Sequence, residues 1–135
     1  MEFGLPEAQQ AIQDTARKFA REKIAPDFQK REETGVIERD LVKEMGTLGL
    51  VASDLPEAYG GLGINGVTAG LIMEEVSYAD LNVSYIQLLN TLNGRIIVDH
   101  ARPEVAQAWA PKIVAGDTVI ALGLTEPRGG SDAAH

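Results

Sequence analysis

Apolar residues recur every three or four positions through most of the chain, which is the period of an amphipathic helix. Residues 6–24 form one such stripe, and Pro6 suits the first position of a helix because its nitrogen carries no hydrogen that would go unpaired. Pro26 interrupts the stripe, and the charged residues 27–33 predict a solvated helical continuation that ends at Gly35. The pattern therefore predicts one interrupted helix at the start of the chain.

Two shorter helices are predicted next, separated by a loop. The residues of the first that should face inward are Leu41, Val42, Met45 and Leu48. Residues 53–66 are rich in glycine and contain a proline, a composition that excludes the interior of a helix or strand. The following helix is predicted over residues 67–79, with Glu74 and Glu75 in solvent because the apolar positions lie on the other face.

Residues 82–100 differ from the other predicted helices because almost no charged residue precedes Arg95 there. A helix that is apolar nearly all round is buried on several sides, by other helices or by another subunit. Pro103 opens a further helix that stops near Gly116, and residues 118–124 are predicted to be a strand. The predicted fold is mainly α, with a bundle of about five helices followed by the first strand of a second unit.

Composition limits the classes of function. The chain has 135 residues, a net charge of −8 and no cysteine, which excludes disulfides and cysteine-ligated metals, and no metal site is predicted. No apolar run approaches the ~20 residues that cross a bilayer, and the acidic charge disfavours nucleic acid and anionic membranes as partners. The first residues show neither a secretory signal nor an organelle leader, so the cytoplasm is the expected compartment.

The end of the chain carries the most specific pattern of chemistry. After the β-favouring Val119 and Ile120, a loop combines glycines with hydroxyl and carboxylate side chains. Glycine lets the backbone approach a phosphate closely, successive N–H groups form an anion-binding concavity, and Thr125 and Ser131 add hydroxyl donors. The loop therefore suits an anionic, planar cofactor, although an isolated glycine pair of this kind would be interpreted more simply as a turn that closes a β-hairpin.

The motif in this loop is Gly123-Leu124-Thr125-Glu126-Pro127-Arg128-Gly129-Gly130-Ser131-Asp132. It resembles the first signature segment of the acyl-CoA dehydrogenases, which are FAD-dependent flavoproteins. Three upstream segments, residues 3–10, 55–63 and 102–104, are similar to segments of the same family and occur in the same order. The resemblance therefore covers the whole chain and favours the flavin interpretation over the hairpin.

The resemblance implies a division into domains. Residues 1–116 would be the family's N-terminal helical domain, and residues 117–135 would be the start of its β-barrel-like middle domain, with the first strand and loop. The C-terminal helical domain would be absent. In this family the catalytic base is a glutamate of that C-terminal domain, so no catalytic residue is expected in this chain. The chain alone is expected to be inactive and to bind FAD poorly.

The resemblance also assigns residues to the cofactor, position by position. The FAD-binding residues that it implies are Leu122, Gly123, Leu124, Thr125, Gly130 and Ser131. Leu122, Leu124 and Thr125 would lie against the flavin ring, through backbone groups and the Thr125 hydroxyl. Gly130 and Ser131 would face the pyrophosphate, and Ser131 would also lie near the pantetheine arm of the substrate.

The helix predicted at residues 82–100 is the one that lines the far end of the acyl pocket in the family. The substrate-binding residues that the resemblance implies there are Gln87, Leu88, Thr91 and Leu92. From the residues alone, any single polar side chain of this helix is explained more simply by hydrogen bonds within helix packing. The polar residues concerned are Gln87, Asn90, Thr91 and Asn93.

The function that the resemblance implies is α,β-desaturation of an acyl-CoA thioester, with an electron-transfer flavoprotein as electron acceptor. A homo-oligomer, in the form of a tetramer, is expected with it. Two alternatives stay open: an acyl-CoA oxidase or related flavin monooxygenase of the same fold, and a helical interaction module that binds no cofactor. Straight, branched and cyclic acyl chains are all compatible with the sequence.

Overall fold

The computed structural model describes residues 4–127 and 129–131, and this part of the chain is mainly helical. Its six α-helices are α1 (Glu7–Phe19), α2 (Phe28–Thr34), α3 (Arg39–Thr47), α4 (Gly66–Ala79), α5 (Leu81–His100) and α6 (Pro103–Val114). A π-helical turn at Ala20–Ile24 and a 3-10 turn at Ala25–Asp27 connect α1 to α2, and a second 3-10 turn lies at Glu57–Tyr59. Because α1 and α2 together form the predicted interrupted helix, the six helices correspond to the five that were predicted. The predicted bundle is therefore confirmed.

The break between α1 and α2 lies at the predicted proline. Pro26 occupies the first turn of the 3-10 segment, where a missing N–H costs no helical hydrogen bond. The continuation ends as predicted at Gly35, which caps α2 with a left-handed φ of 64°.

The core lies where α1, α4, α5 and α6 pack against one another in sequence order. The segment between α3 and α4 closes this core with three aliphatic side chains that are almost fully buried, Leu50, Val51 and Leu55. Burying aliphatic side chains of this size stabilises a fold by roughly 1.5–3 kcal/mol each. No helix within the described residues is long and apolar enough to span a membrane.

A buried ion pair fastens α2 to the start of α5. Arg31 Nε lies 2.7 Å from Asp80 Oδ2, and both residues are at least 97% buried. The Arg31 guanidinium also donates to the carbonyl of Ile24, and the second Asp80 oxygen accepts the backbone N–H of Asn82 at 2.9 Å. Asp80 therefore acts both as the partner of a buried cation and as the N-cap of α5.

Two of the predicted side-chain directions are wrong. Leu48 is 43% exposed, because α3 ends at Thr47 and the chain turns away at Gly49, where φ is 68°. Glu75 does not face solvent: it accepts hydrogen bonds from Arg17 Nη2 at 2.7 Å and from Gln13 Nε2 at 3.1 Å. A carboxylate on this face of α4 is satisfied by polar residues of α1, which the pattern of α4 alone does not reveal.

The packing of α5 within the described chain accounts for only part of the predicted burial, which included burial by another subunit. One face of the helix contacts α4 and α6, but its apolar stripe is open in the described part of the chain. The residues of this open stripe are Leu81, Tyr85, Leu88, Leu92 and Ile96, all at least 40% exposed. The buried face instead carries polar side chains, namely Ser84, Gln87, Asn90 and Asn93. The apolar positions of α5 are therefore not all core positions.

The strand predicted over residues 118–124 is not formed within the described residues, where this segment has no regular secondary structure. A strand requires a neighbouring strand for its hydrogen bonds. The strand pairing present in the described chain is a single antiparallel bridge between Glu126 and Gly129. The helical part of the predicted fold is confirmed, and the strand is not.

Candidate functional site

A tight turn organises the glycine-rich loop at the end of the chain. The N–H of Glu126 donates to the carbonyl of Gly129 at 2.9 Å, and the N–H of Gly129 donates back to Glu126 at 3.0 Å. This reciprocal pair closes the turn without help from other elements. The motif residues Arg128 and Asp132 lie outside the described residues.

The turn brings together two of the predicted FAD-binding residues, Thr125 and Gly130. A Cβ placed on Gly130 would lie 3.2 Å from Thr125 Oγ1 and 3.4 Å from its Cγ2. A side chain at position 130 would therefore crowd the Thr125 hydroxyl, which the resemblance assigns to the flavin ring. Ser131 follows directly and is exposed.

The residues before the turn form an open edge. Leu122 and Leu124 are 47% and 54% exposed, and an added Cβ at Gly123 would meet no atom within 4 Å. The backbone N–H groups of residues 122–125 have no hydrogen-bond partner among the described residues. Backbone donors, two exposed aliphatic side chains and one hydroxyl are the groups that would hold a planar, anionic cofactor such as FAD, so the residues present fit it.

The predicted acyl-wall residues of α5 lie on two adjoining sides of the helix. Leu88 and Leu92 belong to the open stripe, and Thr91 is half-buried. Gln87 is only 1% exposed, and its Oε1 has no hydrogen-bond partner in the described chain. The structure therefore brings Leu88 and Leu92 together on an accessible face and separates Gln87 from them.

Asp54, in the loop before α4, lies near Thr91 of α5, and the sequence pattern does not predict this contact. Burial raises the pKa of the Asp54 carboxyl, against the opposing effects of its backbone, of Arg95 and of a hydrogen bond with Thr91. One of its oxygens is buried without a partner, as is the hydroxyl of the adjacent Ser53. Loop residues have no periodic register, which is why this contact between the loop and α5 could not be predicted.

Asn90 and Asn93 connect α5 to the segment that leads into the glycine-rich loop. Asn90 Nδ2 donates to the carbonyl of Thr118 at 3.0 Å, and Asn90 Oδ1 accepts the N–H of Ile120 at 3.1 Å. Asn93 Nδ2 donates to the carbonyl of Ile120 at 3.4 Å. Both asparagines are at least 96% buried. The sequence predicts hydrogen bonds for them within helix packing, and their partners on the backbone beyond α6 were not predicted.

Comparison with known proteins matches most of the chain to one family. Residues 6–117 match the family model described as "Acyl-CoA dehydrogenase, N-terminal domain". The human mitochondrial short-chain specific acyl-CoA dehydrogenase is 34% identical over 130 residues, which are 96% of this chain and 32% of that protein. The chain thus spans about a third of the length of this curated relative.

Solved structures give the same result. A glutaryl-CoA dehydrogenase from Mycobacterium smegmatis in complex with FADH2 superposes with a TM-score of 0.89 at 29% identity, over 96% of this chain and 34% of that one. The butyryl-CoA dehydrogenase of Megasphaera elsdenii superposes with a TM-score of 0.85 at 29% identity, over 99% and 36% respectively. The chain therefore belongs to the acyl-CoA dehydrogenase family, as the N-terminal domain of that family.

Proposed function

We propose that this chain is the N-terminal part of an FAD-dependent acyl-CoA dehydrogenase that desaturates the α,β bond of an acyl-CoA thioester. The domain boundary belongs to this proposal, with residues 1–116 as the helical domain and 117–135 as the start of the middle domain. The family membership supports the reaction class. The rest of the enzyme, including the catalytic base, is proposed to lie outside these residues.

The observation that carries the proposal is that two open surfaces are attached to one helix, α5. The backbone N–H groups of residues 122–125 have no partner among the described residues, and the Leu88–Leu92 face of α5 is apolar and exposed. Asn90 and Asn93, on the buried face of the same helix, hold residues 118–120, which lead into the edge at residues 122–125. A flavin would accept hydrogen bonds from the backbone donors of the first surface, and an acyl chain would lie along the apolar face of the second.

When bound, FAD would supply the acceptor for the hydride that leaves the β-carbon, and a carboxylate outside this chain would take the α-proton. The residues of this chain would bind and orient the flavin and the acyl chain. Leu122 and Leu124 would pack against the flavin ring, the Thr125 hydroxyl would donate a hydrogen bond to it, and Gly130 and Ser131 would approach the pyrophosphate. Leu88, Thr91 and Leu92 would form the wall at the end of the acyl chain and exclude water there, and Gln87 would support this wall from the buried side of α5.

The proposal extends to partners. An electron-transfer flavoprotein is the proposed electron acceptor, and the whole protein is proposed to be a homotetramer in the cytoplasm. The open apolar stripe of α5 supports burial by further protein, since contiguous exposed apolar surface is uncommon on a free monomer.

The experiment that tests the proposed function uses the whole protein. Purified protein is expected to be yellow, and anaerobic addition of butyryl-, isovaleryl- and octanoyl-CoA should bleach the flavin with at least one of them. Rapid recolouring in air together with hydrogen peroxide formation would instead identify an oxidase. Colourless protein that also fails to take up added FAD would contradict the flavoenzyme and favour the interaction module.

A further inference from the structure

The segment between α6 and the glycine-rich loop has no strand beside it among the described residues, yet its polar backbone atoms are satisfied on one side. Thr118 O, Ile120 N and Ile120 O all bond to side-chain amides of α5, at 3.0, 3.1 and 3.4 Å respectively. In an extended chain the polar groups of residues two apart point to the same side, where a neighbouring strand would bond them. Asn90 and Asn93 therefore occupy the place of a neighbouring strand.

The carboxamide is the side chain suited to this task. Asn90 donates to one backbone group and accepts from another, as a backbone amide does. It also donates to the carbonyl of Ile113 near the end of α6, at 3.4 Å. A carboxylate would lose the donor, and an aliphatic residue would leave buried backbone groups unpaired.

We propose that Asn90 and Asn93 are positioning residues that set the register of residues 118–120 on α5 and thereby place the loop at 122–125 relative to the Leu88–Leu92 face. The two amides and the two exposed leucines lie within six consecutive positions of one helix. One rigid element therefore fixes both the start of the loop and the apolar face. The consequence for catalysis rests on the proposed function, whereas the register itself does not.

The first test measures backbone hydrogen exchange by NMR in the 135-residue chain. The Ile120 amide should be protected, and Asn90→Leu should speed its exchange by about five- to tenfold, which corresponds to one lost hydrogen bond. The matched control is Ser84→Ala, because Ser84 is also buried on α5 but bonds only to its own helix, at Leu81 O. Exchange at Ile120 that is unprotected in the native chain, or unchanged in Asn90→Leu, would overturn the proposal.

A second variant changes no residue of the helices, although the Ile120 side chain packs against the core. Ile120→Pro removes the backbone N–H that donates to Asn90 Oδ1. Ala121→Pro removes a backbone N–H that has no partner among the described residues. Ile120→Pro should shift the NMR signals of the Asn90 side-chain amide and release Thr118, with helix content unchanged. The proposal fails if the Asn90 signals respond equally to Ala121→Pro.

The catalytic consequence is tested in the whole flavoprotein with the acyl-CoA that bleaches it. Hydride transfer requires the reacting atoms within about 3–3.5 Å, and a misplacement of about 1 Å can cost up to a hundredfold. Asn90→Leu should lower kcat by about tenfold or more while KM changes less than about twofold. A wild-type kcat in a variant with an unprotected Ile120 amide would overturn this consequence. Whole protein without flavin would instead refute the proposed function and leave the exchange result standing.

Discussion

At the scale of single residues, the chain uses a few polar groups in buried or confined places. Asn90 replaces a strand partner, Asp80 caps a helix while neutralising Arg31, and Gly130 leaves room for the Thr125 hydroxyl. Asn90 and Asp80 act through one side-chain group, and Gly130 acts through the lack of a side chain. Conservative substitutions should therefore separate the role of a chemical group from that of the space it fills.

Thr125→Val should weaken flavin retention in the whole protein. If the hydroxyl donates to the flavin ring, its loss costs on the order of 1 kcal/mol, or about a fivefold higher dissociation constant for FAD. The absorbance spectrum and the FAD content after dialysis measure the effect. The control is Thr47→Val, since Thr47 bonds to Lys43 O within α3. Equal flavin content and identical spectra in both variants would contradict the assignment of Thr125.

Asp54→Asn should stabilise the chain at neutral pH. Because burial raises the pKa of Asp54 above its ordinary value of 3.8, the folded state holds the proton more tightly than the unfolded chain. The ionised carboxyl therefore costs stability at neutral pH, and this cost disappears once both states are protonated at low pH. The Tm difference between Asp54→Asn and the native chain should grow as pH rises from about 3 to 7.

The control for this pH effect is Asp117→Asn, which removes an exposed carboxylate that lies 3.5 Å from Lys43 Nζ. An exposed pair of this kind contributes about 0–1 kcal/mol, so this variant should gain no stability with rising pH. A Tm difference for Asp54→Asn that is constant or falls with pH would show that the carboxylate is well solvated or well paired.

At the scale of elements, periodicity predicted the helices. It did not predict which side chains are buried, because burial depends on the elements that pack against each helix. The break at Pro26 and the stop at Gly35 follow from local backbone chemistry, so the sequence alone was sufficient. In α5 the same apolar pattern that predicts a helix does not tell a core face from an open face. The contacts of Asp54, Asn90 and Asn93 join residues far apart in the sequence, and no local pattern encodes them.

The contact between α3 and the end of α6 provides a test of packing. A Cβ on Gly46 would lie 2.3 Å from the backbone oxygen of Ala115, whereas one on Gly70 of α4 would meet no atom within 4 Å. Gly46→Ala should therefore destabilise the fold by about 2 kcal/mol or more, because backbone must move. Gly70→Ala should stabilise it by about 0.8–1 kcal/mol through helix propensity.

Urea unfolding followed by circular dichroism measures both glycine variants under one condition. Because each substitution adds the same methyl group to a helix, propensity alone would shift both midpoints upward. If Gly46→Ala raises the midpoint as Gly70→Ala does, α3 does not lie against the turn at Ala115 as the structure has it.

At the scale of the whole molecule, the chain is a mainly helical unit with two open surfaces. The α5 stripe and the edge at residues 122–125 are exposed together, and the chain covers about a third of the related acyl-CoA dehydrogenase from humans. The resemblance of the terminal motif predicted the family, which the comparisons confirm. The residue assignments at the flavin and the acyl chain stay predictions, because they concern contacts with groups and domains outside this chain.

The central claim is that a flavin site is divided between this chain and the rest of a longer enzyme. The measurement that tests it most directly is a titration of FAD, followed by flavin absorbance, into the 135-residue chain and into the whole protein. The account predicts tight binding with a perturbed spectrum for the whole protein and no spectral change at micromolar FAD for the chain alone, where too few contacts offset the cost of ordering the ligand. Micromolar binding by the chain alone, or no binding by the whole protein, would contradict it.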